Sequence, residues 1–166
     1  MEACCACGTV RIGVTGAPIM TVECGCSSCQ TAGARFGDVL SDHRTTRYTM
    51  VRKDRVALLT GAGSLQAHRL TPDSATRRVT ATCCGAPMYL DFEKGHWLSV
   101  YSARLPEGAA GPLLCRTMTM DLPPEIALPD DVPNPKRHTV GFVARLLGAW
   151  VAMGFRSPAL DWAQEG

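Results

Sequence analysis

Apolar and polar residues alternate in short runs along most of the chain. Thr9 to Val14 reads Thr-Val-Arg-Ile-Gly-Val, the period of a strand with one buried face. Gly16-Ala17-Pro18 then reads as a turn, and Ile19 to Val22 as a second strand. The texture returns at Tyr48 to Arg52, Val56 to Thr60, Leu65 to Leu70, Arg77 to Thr82, Met88 to Phe92, Trp97 to Ala103 and Arg116 to Asp121. Turn signals at Gly61-Ala62-Gly63, Thr71-Pro72-Asp73 and Pro106-Glu107-Gly108 separate these runs. Many short strands with regular turns predict a mainly β fold of the sandwich type.

The pattern changes after Asp121. Leu122 to Lys136 contains five prolines and reads as an extended linker. From His138 to Phe155 the apolar residues Val140, Val143, Leu146, Leu147, Trp150 and Val151 recur at helical spacing. This run is too short for a membrane span, and Arg145 interrupts it. It is expected to pack on the β domain as a C-terminal helix. The expected organisation is a β domain over 1–121, a linker over 122–137 and a helical tail over 138–166.

Composition narrows the function. The 166 residues are 46% apolar and 19% charged, enough for a folded core. A net charge of +2 argues against a nucleic-acid binder, and only Tyr48 interleaves with the arginines of residues 44–55. That basic run reads as a solvated edge strand. Met1-Glu2-Ala3-Cys4-Cys5 does not begin a secretory leader, so a cytoplasmic location with reduced thiols is expected. The nine cysteines cannot all pair, and eight of them fall into three short clusters. Burial accounts for the isolated Cys115 but poorly for the clusters.

The sharpest cluster is Cys24-Gly25-Cys26-Ser27-Ser28-Cys29. Three thiols spaced C-x-C-x-x-C can converge on one ion, and zinc suits soft thiolates. Three protein ligands leave a fourth position open for catalysis, unless a distant ligand closes it and makes the site structural. The other two clusters, Cys4-Cys5-Ala6-Cys7-Gly8 and Cys83-Cys84-Gly85, each end in Cys-Gly like a metal knuckle. Together they read as a second, structural zinc held by Cys5, Cys7 and Cys84, with Cys83 and Cys4 competing for the remaining position. One or two zinc ions are therefore expected.

In this order the three clusters resemble the glutathione-dependent formaldehyde-activating enzyme family, which includes the centromere protein V type and has an Mss4-like β fold. The family pattern C-x-C-G, C-x-C-x-x-C, C-x-x-C-G is matched by Cys5-Ala6-Cys7-Gly8, by Cys24 to Cys29, and by a reduced third motif in which Ala81 replaces a cysteine. The chain also has Gln30-Thr31 where the family usually has a basic pair. The resemblance spans about residues 3 to 121 and implies a structural zinc at the outer clusters and a catalytic zinc at the triplet.

The implied activity is carbon–sulfur lyase chemistry on a thiol–aldehyde adduct such as S-hydroxymethylglutathione, with a small-molecule thiol and an aldehyde as partners. A thiol that coordinates a metal is deprotonated and can attack an aldehyde carbon. The new alkoxide needs a proton donor. His43 is the histidine nearest the triplet in sequence, with His68 and His96 as further candidates. Arg35 and Arg44 are candidates for the substrate's carboxylates. The competing expectations are a non-catalytic zinc-binding interaction module and a redox or metal sensor that loses its ion on oxidation.

Overall fold

The computed structural model describes residues 1–37 and 39–165. It is mainly β, with eleven strands and two α-helices among those residues. Strands β1 (Glu2–Cys4), β2 (Arg11–Val14) and β5 (Val56–Thr60) form a small antiparallel sheet in the order β1-β2-β5. The remaining strands are β3 (Met20–Cys24), β4 (Thr46–Arg52), β6 (Leu65–His68), β7 (Thr76–Ala81), β8 (Pro87–Phe92), β9 (Trp97–Tyr101), β10 (Leu113–Thr117) and β11 (Gln164–Glu165). They form one sheet in the order β10-β3-β4-β9-β8-β7-β6-β11.

The period of two gives this large sheet two different faces. Val51, Val79, Leu98 and Val100 turn to one side and meet Ile12 and Val14 of the small sheet in the main core. Their neighbours Met20, Val22 and Met50 turn to the other side, where Phe142 covers them. The cysteine triplet lies at the end of β3, on this second face beside Tyr48.

Helix α1 (Ser27–Phe36) was not expected from the hydrophobic pattern. Its buried residues are Cys29, Gln30, Ala32 and Gly33, so it has no long apolar stripe to read. Tertiary hydrogen bonds hold it instead. Gln30 Nε2 donates to Gly25 O at 2.8 Å and to Asp121 O at 3.0 Å, and Ser27 N donates to Asp121 Oδ2 at 3.0 Å. The expected strand at Arg116 to Asp121 is displaced accordingly. β10 ends at Thr117, Met118 takes a positive φ of 58°, and Thr119–Asp121 form a 3-10 turn that delivers Asp121 to α1.

The basic run is not an edge strand, because β4 lies between β3 and β9. Arg47 pairs with Glu23, Arg52 with Asp54, and Lys53 with Asp91. The proline-rich segment is also tied down. Arg116 N donates to Pro133 O at 2.9 Å, and the Arg116 guanidinium pairs with Asp131 at 2.7 Å. Its Nε also donates to Glu23 Oε2 at 2.9 Å, while Arg47 Nη2 reaches Glu23 Oε1 at 2.7 Å and Thr45 Oγ1 reaches Oε2 at 3.1 Å.

This anchored segment leads into α2 (Val140–Ala152), where Thr139 Oγ1 caps Phe142 N at 3.1 Å. Phe142 and Met153 are buried, whereas Val140, Val143, Leu147 and Val151 face outward. The helical spacing is thus correct, but most of the apolar residues that signalled it lie on the outer side. His96 Nε2 meets Leu146 O at 2.7 Å and its ring stacks on Trp150, docking the helix on the sheet. Among the described residues, no helix is long and apolar enough to cross a membrane.

Replacing Arg116 by Met removes the more deeply buried of the two guanidinium partners of Glu23 and the anchor of the proline-rich segment together. A buried charge left wholly unpaired costs about 3–5 kcal/mol, and with Arg47 still on Glu23 the lower end, about 3 kcal/mol, is the ceiling here. Urea unfolding is expected to show a loss of that order, and limited proteolysis to gain cuts within residues 122–137. Unchanged unfolding and digestion would contradict the anchoring role.

Candidate metal centre and its cavity

Both outer Cys-Gly clusters are tight turns whose glycines have positive φ, 77° at Gly8 and 72° at Gly85. In the first, Gly8 N donates to Cys5 O at 3.0 Å and Val10 N donates to Cys5 Sγ at 3.2 Å. In the second, Gly85 N donates to Ala81 O at 2.8 Å. The turns meet across the sandwich. Cys5 Sγ lies 3.6 Å from Cys7 Sγ and 3.8 Å from Cys83 Sγ, and Cys7 and Cys83 are 3.3 Å apart. Cys84 Sγ lies 4.0 Å from that of Cys83 and completes a group of four.

Tetrahedral zinc with thiolate bonds near 2.3 Å would place its sulfurs about 3.8 Å apart, so these four donors fit that ion. The hydrogen bond from Val10 N to Cys5 Sγ is of the kind that supports a coordinated thiolate. The remaining outer cysteine, Cys4, is not in the group: its Sγ faces Glu2 Oε1 at 3.6 Å. The position left by Ala81 is therefore met in space by the adjacent pair Cys83 and Cys84.

The triplet is built by the β3–α1 junction. Gly25 is required by space, because a Cβ there would lie 2.9 Å from Leu122 Cγ. Cys26 is the residue that precedes α1 and Cys29 is in its first turn, so the helix folds the third sulfur back toward the first two. The sulfurs of Cys24, Cys26 and Cys29 all lie within 4.8 Å of one another. Cys29 is buried, and its Sγ is 3.7 Å from the Tyr48 hydroxyl.

Without a cation, three sulfurs this close cannot all carry charge. Hydrogen bonds from Cys24 and then Cys29 pull the Cys26 thiol down to about 2. The Cys29 backbone N–H and the Arg78 guanidinium act in the same direction. Cys24 is driven up, chiefly by its bond to Cys26. One thiolate is thus stabilised at the others' expense, and a divalent ion would relieve that competition. The donor set is soft, local and deprotonatable, which suits zinc.

The triplet opens into a cavity of about 500 Å³. Met50, Leu70, Leu90 and Trp97 form apolar walls, and α2 supplies Phe142 and Leu146 as a further wall. Arg78 and His138 also line it. His138 Nδ1 meets Thr117 Oγ1 at 2.9 Å, and its ring stacks on Phe142 at 4.3 Å. Burial lowers the His138 pKa, against an opposing pull from Cys26.

The other sequence candidates lie elsewhere. His43 sits in the turn Ser41–Thr45 and does not line the cavity. Nearness in sequence did not carry over, because α1 intervenes between the triplet and that turn. His68 pairs with Thr80 Oγ1 at 3.0 Å, and His96 is occupied by α2. Arg35 is exposed over the Phe36 ring. Arg44 Nε donates to Gln30 Oε1 at 3.2 Å and lines a separate hollow with Ser27 and Asp121. Sequence reasoning did not find His138 or Arg78. The only signal for Arg78 was the Arg77-Arg78 pair within a strand, whose alternation must send one guanidinium to each face.

A profile of the glutathione-dependent formaldehyde-activating enzyme family matches residues 1–105. No curated protein matches the chain in sequence. Among solved structures, the crystal structure of a Rhodobacter sphaeroides protein, a structural-genomics target, is similar in fold. It is 19% identical, with a TM-score of 0.50 over 68% of this chain and 97% of that one.

Metal analysis of single variants checks the two groupings. Cys83→Ser is expected to lose the outer equivalent of metal and Cys26→Ser the inner one, whereas Cys4→Ser retains both. Loss of metal in Cys4→Ser with retention in Cys83→Ser would reverse the assignment of the outer site.

Proposed function

The chain belongs to the glutathione-dependent formaldehyde-activating enzyme family, and from that premise we propose that it makes or breaks the carbon–sulfur bond of a thiol–aldehyde adduct. S-Hydroxymethylglutathione is the adduct to which the family's name points. The observation that carries this reading is the convergence of Cys24, Cys26 and Cys29 on the wall of a largely apolar, half-open cavity. In this reading those three cysteines hold a catalytic zinc, and Cys5, Cys7, Cys83 and Cys84 hold a structural one. Zinc at the triplet would supply a position at which a substrate thiol is held in its deprotonated, nucleophilic form.

The protein's own residues supply the rest. In the condensing direction the substrate sulfur gives up its proton and bonds to the aldehyde carbon, and the former carbonyl oxygen takes a proton. The cleaving direction reverses each change. His138 is the cavity's ordinary acid–base group. Its Nδ1 is engaged by Thr117, which orients the ring and leaves Nε2 for the oxygen. Met50, Trp97 and Phe142 give the substrate's body an apolar wall to pack against. The buried Tyr48 hydroxyl beside Cys29 positions that ligand.

The test is exchange of carbon-13 formaldehyde into its thiol adduct, followed by NMR with glutathione or mercaptopropionate as the thiol. Wild type is expected to accelerate exchange above the uncatalysed rate. Cys26→Ser removes the acceleration, and His138→Ala lowers it about 10²-fold while leaving metal content unchanged. An unaccelerated exchange by fully metallated wild type would reject the enzymatic reading.

A further inference from the structure

Arg78 departs from the buried cations Lys53 and Arg116. Lys53 is paired with Asp91 at 2.6 Å, and Arg116 with Glu23 at 2.9 Å. Arg77, one residue earlier, turns to the opposite face and pairs with Asp91 at 2.5 Å. Arg78 is only 3% exposed. Its Nη2 donates to Ser28 O at 3.3 Å, its Nε has no partner, and no carboxylate pairs with it among the described residues. Burying a guanidinium in this way is costly unless something else satisfies it.

Its position says what that could be. Arg78 lines the same cavity as the triplet and, among the described residues, is the only one lining it with a permanently charged side chain. No aspartate or glutamate lines the cavity among the described residues, so nothing acidic is present to receive an ammonium group. The walls are largely aliphatic and aromatic, with Leu70, Leu90, Trp97 and Phe142 among them. Ser74, Thr76 and Ser99 add neutral hydroxyls.

We propose that Arg78 is an anion-recognition residue of this cavity, and that it pairs with the single carboxylate of a thiol whose body is apolar and which carries no ammonium group. This rests on the reading that the triplet receives a thiol, and it specifies the thiol's class. The planar guanidinium can present two N–H groups to one carboxylate, which a lysine cannot. Glutathione, with two carboxylates and an ammonium, leaves one anion and one cation without a partner here. A role confined to balancing the thiolate charge would treat acidic and neutral thiols alike, so the two roles separate experimentally.

The probe is cobalt(II)-substituted protein, whose absorption bands report sulfur entering the metal's coordination. It is titrated with 6-mercaptohexanoate, its neutral analogue 6-mercaptohexanol, and glutathione. The acid is expected to bind about tenfold or more tightly than the alcohol or glutathione, the factor of a charge-assisted pair. Arg78→Met removes the acid's advantage over the alcohol, whatever the loss of the guanidinium does to both thiols through Cys26, and Arg78→Lys recovers part of that advantage. Thermal melts confirm that each variant is folded. Equal binding of acid and alcohol by wild type, tighter binding of glutathione, or equal loss of both hexyl thiols in Arg78→Met overturns the proposal.

If no thiol perturbs the cobalt bands, the reading of the triplet fails. Calorimetry with thiol-free hexanoate then decides the anion site alone. Binding that Arg78→Met abolishes sustains it, and no binding by wild type removes it.

Discussion

The Glu23 carboxylate is the point on which the site's geometry rests. It is buried one residue before Cys24, on the face of β3 opposite the cysteines, and is held by Arg47, Thr45 and Arg116. These partners lie on β4 and its approach and on β10, the two strands that flank β3. A buried anion left without them would be strongly destabilising, so the pairing sets how the three strands lie together. Arg116 extends the constraint by holding Asp131 in the proline-rich segment. One charge therefore fixes both the strand that presents Cys24 and the segment that brings in His138.

Much of the Mss4-like sandwich was legible as alternation, because strands with two different buried surroundings repeat a period of two regardless of what covers each side. The triplet was legible because its spacing is local: a strand end and the first turn of a helix are enough to bring the sulfurs together. Helix α1 was not, since Gln30 and Asp121 hold it through bonds between distant parts of the chain. The same Gln30 stands where the resemblance led one to expect a basic pair, and here its amide bridges Gly25 O and Asp121 O.

The outer cluster shows how spacing can mislead while chemistry does not. A cysteine is absent at Ala81, yet the turn from Ala81 to Ala86 carries Cys83 and Cys84 back to Cys5 and Cys7. The polar residues that line the cavity besides the cysteines were harder to see. His138 reaches the cavity because β10 runs parallel to β3, with Thr117 beside Cys24, and the chain then returns along that edge. Arg78 reaches it through register alone. Neither position carries a motif, so only the topology could supply them.

The family profile ends at residue 105, whereas His138, Phe142 and Leu146 come from beyond it. The sulfur donors and the opposite wall of their chamber are thus written in separate stretches of chain. Drift in the later stretch can recut the chamber without disturbing a thiolate or a sheet hydrogen bond. Proteins that keep identical cysteines can therefore diverge in what they admit, and the ligand set alone is a poor guide to diet.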